Sequence, residues 1–251
     1  MILGLDFPPI SHVTEWPTWG SGPLAVNKVV VLMWLSVAIV FVLMYVGGRQ
    51  QSLVPKGAQN VAESAVDFVQ ENVILQTIGP DGLGFTPFLL TIFTFVFVCN
   101  IWEIIPLAQM PVNARIALPA FMAVVVWVLY LVVGIMHQGP LKYFKNSIVP
   151  PGVPWFALPL VSLIELAQIV IVRPLSLAVR LFANMIAGHL LLVSFAVITQ
   201  ALFEATIVGA ALPFALLVAL TGFEVLVSFL QAYIFTILAA VYIGSSMHPE
   251  H

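Results

Sequence analysis

Two arginines, an asparagine and a histidine stand in VRPLSLAVRLFANMIAGHLL (172–191), a stretch otherwise made of apolar and small residues. An ionisable side chain at the centre of a membrane helix costs about 2.5–3.5 kcal/mol on translocon scales, so such groups face a protein interior or an aqueous path. On a helix, Arg173, Ser176, Arg180, Asn184 and Ala187 share one face. His189 points about 180° away from Arg180 and lies roughly 13 Å further along the axis. Glu165 lies about 22 Å from Arg180 in the other direction and within about 60° of it. A second stripe, Thr221, Glu224, Ser228 and Gln231, spans an arc of about 80° on the last apolar run. Histidine titrates near pH 6.5 when unperturbed. His189 and Glu224 are therefore natural partners for passing protons across a polar seam.

Plainer roles stand beside these. Arg173 precedes Pro174, so it could mark a helix break and snorkel to the interface. His189 could be a hydrogen-bonded packing residue, and Glu165 an interfacial anchor. Arg180 is harder to explain structurally. Its neighbours Ala183, Ala187 and Gly188 are small, the chain offers it few anions, and a lone buried cation needs one. Its partner is expected on another subunit.

The elements that must position these groups are membrane helices. Of 251 residues, 61% are hydrophobic and 8% charged, and the mean hydropathy is +1.10. These values exclude an ordinary soluble domain. A net charge of −3 without a basic run argues against nucleic acid. One cysteine, Cys99, excludes an internal disulfide, and no Cys/His metal pattern is present. Residues 1–27 lack the positive start of a signal peptide and read as an extracytoplasmic segment of the mature chain.

Residues 28–48, 84–107 and 116–137 each suffice for one crossing. Residues 58–78 differ, because Glu63, Asp67 and Glu71 recur every four residues, roughly opposite Val61, Ala65, Phe68 and Val69. That pattern predicts an amphipathic helix on the membrane surface or on a partner. The runs 155–203 and 205–247 exceed forty residues, so each holds either two upright spans or one long tilted helix. Arg49, Lys56, Lys142 and Lys145 fall on one side, which is then cytoplasmic, while Arg115 falls on the other. With one crossing per long run there are five, placing the N-terminus outside and the C-terminus inside.

RPLSLAVRLFANMIAGHLL resembles the signature around the essential arginine of subunit a of the F-type ATP synthase. EVLVSFLQAYIFTILAAVYI (224–243) is similar to that family's C-terminal glutamine motif. FTPFLLTIFTFVFVCNIWEIIP (85–106) is similar to its Asn-x-x-acid-x-x-Pro segment. The resemblance covers nearly the whole chain and is weakest in the first 25 residues. It implies an all-α integral membrane protein whose last two helices form a long tilted hairpin. Such a protein is a stator proton channel beside a rotating ring of c subunits, non-catalytic on its own and without cofactor or metal. It would also contact peripheral-stalk b-type subunits and lipid, in a bacterial plasma membrane.

By position, the resemblance makes Arg180 the essential arginine, with Asn184 and Gln231 as polar neighbours. It places His189 and Glu224 in the outer half-channel, Asn100 and Glu103 at its mouth, and Glu165 in the cytoplasmic half-channel. Arg173, Ser176 and Ser228 are secondary. Two departures stand out. The histidine and carboxylate of the outer path occur in the reverse of the order found in some relatives. PVNARIALPA (111–120) carries Arg115 where relatives often have acidic or hydroxyl residues. A proton-coupled secondary transporter is the alternative, although no inverted repeat is visible. A purely structural anchor would leave Arg180, His189 and Glu224 unexplained, and a membrane hydrolase would lack its metal or nucleophile.

Overall fold

The computed structural model describes residues 26–49, 52, 54–105, 108–148, 154 and 156–247. The expected extracytoplasmic segment, apart from Val26 and Asn27, lies outside the described residues. Helix α1 is Lys28–Arg49. Helix α2, Ala58–Val69, runs on through a π-helical turn at Gln70–Ile74 and a last turn at Leu75–Thr77. A 3₁₀ turn at Pro80–Phe85 leads into α3, Thr86–Ile101. After a 3₁₀ turn at Val112–Ala114 come α4, Ala117–Gln138, and the short α5, Pro140–Ile148. Helix α6, Leu158–Ala167, joins α7, Arg173–Ala205, through a second π-helical turn at Gln168–Val172. Helix α8 is Ile207–Met247.

Among the described residues, five stretches are long and apolar enough to cross a membrane: Lys28–Arg49, Pro80–Ile101, Ala117–Gln138, Leu158–Phe203 and Val208–Met247. The last two settle the choice between paired upright spans and single long helices. They are continuous over 46 and 40 residues, about 60 Å or more each, against a hydrocarbon core of about 30 Å. A helix of that length fits a bilayer only by tilting or by projecting from it.

The core lies where α3, α4, α7 and α8 meet. Leu89 and Val96 of α3, Val126 and Tyr130 of α4, and Leu181 and Met185 of α7 are almost wholly buried. Helix α8 contributes Ala232, Phe235, Ala239, Ala240 and Ile243 at helical spacing. Its alanines let the neighbouring helices approach closely. The α7–α8 hairpin is antiparallel: Arg173 meets Tyr242, Asn184 meets Gln231, and Gly188 meets Glu224.

Helix α2 packs on this core. Val69, Val73 and Ile74 are fully buried, and the Phe68 ring lies 5.3–5.7 Å from Phe93, Phe229 and Tyr233. Glu63, Asp67 and Glu71 are exposed, as their stripe predicts. Val61 is not on the packed face, being 52% exposed. Ala62 takes that place against Gly47 of α1, where an added Cβ would come within 2.5 Å of Ala62. Helix α5, not foreseen from the sequence, follows Gly139, whose φ of +80° suits glycine. Its Tyr143 ring packs into room left by Gly134.

Candidate functional site

Helix α7 separates its polar residues by face. Leu177, Ala178, Leu181, Met185, Gly188 and His189 are buried, whereas Arg180, Asn184 and Ala187 are exposed. This follows from the 100° helical step, because nine steps from Arg180 to His189 amount to half a turn. Asn184 Nδ2 donates to Gln231 Oε1 at 2.6 Å, and Gln231 is buried on α8. The amide pair thus stands one turn from Arg180, at the edge of the hairpin seam. Ser176 donates to the Arg173 carbonyl at 3.0 Å, and Thr221 to the Leu217 carbonyl at 2.8 Å, so both hydroxyls are held by their own helices.

On the buried side, three titratable groups converge. His189 Nδ1 lies 3.8 Å from Glu103 Oε1. Glu224, 3% exposed, packs over Gly188, where an added Cβ would lie 2.7–2.8 Å from its carboxyl atoms. Glu224 thus lies against the residue just before His189, and a second carboxylate, Glu103, stands beside the imidazole. Two bonds hold Glu103 there. The chain tightens after α3 with Glu103 N–H donating to the Asn100 carbonyl at 3.2 Å. The indole N–H of Trp102 donates to Ser36 Oγ on α1 at 2.7 Å.

Asn100, fully buried, accepts from Asn113 Nδ2 at 2.6 Å. Asn113 belongs to none of the polar stripes legible in the sequence, where its segment stands out for Arg115 and for lacking acids and hydroxyls. An amide in an otherwise apolar turn was the available signal. Burial first, and then the Glu224 carboxylate, push the Glu103 carboxyl up to about 8. At pH 7 the protonated form is then favoured by about ten to one.

Six buried side-chain atoms lack a hydrogen-bond partner among the described residues: Asn100 Nδ2, both Glu103 oxygens, Glu224 Oε2, Ser228 Oγ and Gln231 Nε2. Buried polar groups are nearly always paired. All six belong to residues already singled out in the sequence.

Glu165 stands apart, half-buried on α6. Arg173 is not at a helix break. The helix runs through Pro174, and the guanidinium lies 5.3 Å from the Tyr242 ring centroid, a cation–π distance. No group of three or more His, Cys, Asp or Glu among the described residues could hold a metal ion.

The family model for the ATP synthase A chain matches residues 30–244. The chain belongs to that family. ATP synthase subunit a of Frankia alni is 43% identical over 254 residues, covering 97% of this chain and 87% of that protein. Subunit a of a Rhodopseudomonas palustris strain is 42% identical, covering 92% of each chain. Subunit a of Streptomyces lividans is 36% identical, covering 99% of this chain and 90% of its own length. Membership implies that the chain is a component of the ATP synthase complex. It also agrees with the all-helical membrane architecture.

Proposed function

We propose that this chain is the stator proton channel of an F-type ATP synthase, forming two offset half-channels against a rotating c-ring. The observation that carries the reading is the division of α7. A cation stands on an exposed membrane-spanning face, and a buried titratable cluster stands behind it. An arginine exposed at that depth is expensive unless an anion covers it. A carboxylate carried by each ring subunit meets that need.

Protons then enter from outside past Asn113, Asn100 and Glu103, and pass by His189 and Glu224 to a ring carboxylate. The six unpaired buried atoms suit such a path, because they leave hydrogen-bonding capacity for a transient proton or water chain. Glu103 holds a proton at neutral pH and can release it, as a relay group must. After nearly a full turn, the carboxylate discharges its proton toward the cytoplasm past Glu165. Arg180 bars the direct route. At about 4 Å and an effective dielectric near 20, its attraction for an ionised carboxylate is about 4 kcal/mol, roughly a thousandfold bias toward proton release. The Asn184–Gln231 pair keeps polar groups beside that encounter without adding charge.

In this reading the chain performs no chemistry itself. The N-terminus is outside and the C-terminus cytoplasmic, with b-type stalk subunits as further partners. Arg180→Ala tests it. Reconstituted complex carrying that variant is expected to lose proton-driven ATP synthesis. Synthesis at the native rate would refute the reading.

A further inference from the structure

Pro174 creates a hydrogen-bonding problem that a second helix solves. Through Gln168–Val172 the chain winds as a π-helical turn, and the Arg173 N–H donates to the Gln168 carbonyl. In an unbroken α-helix that N–H would go to Ile169. The next residue, Pro174, has no N–H to offer. The Ile169 carbonyl, on a buried residue, is thus deprived of a donor from either position. Helix α4 supplies two: Trp127 Nε1 donates to it at 2.9 Å and Tyr130 Oη at 2.7 Å. An unpaired carbonyl away from water is costly. The Tyr130 ring also touches Tyr242, the ring beneath Arg173, at 5.9 Å.

We infer that Trp127 and Tyr130 are positioning residues that hold the π-turn in place and so set the angular bearing of Glu165 relative to Arg180. In unbroken α-register, Glu165 would lie about 60° to one side of Arg180. One residue taken up by the turn removes about 100° and puts it about 40° to the other side. Removing both donors strands the Ile169 carbonyl. Returning the Arg173 N–H to Ile169 re-pairs that buried carbonyl and moves the one that Pro174 cannot serve to the exposed Val170; this restores α-register and rotates α6 relative to α7. That α6 and α7 carry different parts of a proton path rests on the function proposed above. The turn and its two donors do not.

The test uses the whole ATP synthase in membrane vesicles, with Cys99 replaced by serine and single cysteines placed at 158–167 and 175–183. Reactivity toward a membrane-impermeant maleimide is read with and without Trp127→Phe/Tyr130→Phe. The expected result is a one-residue shift of the reactive pattern along 158–167 and an unchanged pattern along 175–183. An unshifted pattern in an assembled variant would overturn the inference. If the double variant fails to assemble, Pro174→Ala is added, which supplies the missing N–H. Restored assembly supports the inference, and continued failure shows that lost aromatic packing was responsible, overturning it. A shifted pattern with native ATP synthesis would leave the clamp standing and remove Glu165 from the proton path.

Discussion

Replacing Glu103 by glutamine preserves the side chain's size and removes its titration. Glu103, 4% exposed, lies just beyond the end of α3, and burial together with Glu224 lifts its carboxyl from 4.5 to about 8. Between those values the folded chain binds a proton that the unfolded chain has released. Stability therefore falls as pH rises through this window, by up to about 1.4 kcal/mol per pH unit. The full fall is about 5 kcal/mol, complete once the pH passes the folded-state value of about 8. Glutamine carries no such penalty. The thermal midpoint of the Glu103→Gln chain in detergent should match the native one near pH 4.5 and exceed it increasingly up to about pH 8. Above that the difference should stay constant. Adding Glu224→Gln should lower the upper end of the window without abolishing it, because burial is the larger cause. A difference between native and Glu103→Gln that stays flat from pH 5 to 9 would show that Glu103 is not buried as described.

Gly188→Ala places a methyl group 2.7–2.8 Å from the Glu224 carboxyl atoms, which must retreat by several tenths of an ångström. Proton uptake from the outer side should fall by about tenfold, and adding the shorter Glu224→Asp should restore part of it. His189→Leu should slow that uptake without opening a leak, and unchanged flux in reconstituted vesicles would remove His189 from the path. Trp102→Phe deletes the buried bond to Ser36. It should cost about 1 kcal/mol, seen as a thermal midpoint lowered by roughly 2–4 °C.

How much of this site could be read from the sequence follows from what a membrane makes expensive. Arg180, His189 and Glu224 stood out because a bilayer penalises each of them wherever it sits, and their division between two faces needed only the 100° step of a regular helix. Which group meets which was a finer matter. Periodicity places Glu224 and His189 on facing helices but does not show that the Glu224 carboxyl packs directly against Gly188. Periodicity also could not deliver Glu103 to His189. That approach depends on how the chain tightens after α3 and on an indole reaching α1, a contact between residues 66 positions apart. Trp127 and Tyr130 were invisible for the opposite reason. Aromatic residues in an apolar span look like packing, and nothing local shows that their polar atoms serve a carbonyl some forty residues away. The π-turn compounds this, since it breaks the regular rotation that would otherwise fix the bearing of Glu165. A proline in a continuous transmembrane helix is the local sign that such a donor must exist, because in lipid no water can replace the missing N–H. Pro174 was therefore the residue from which the need for a donor on a neighbouring helix could have been deduced, even though its identity could not.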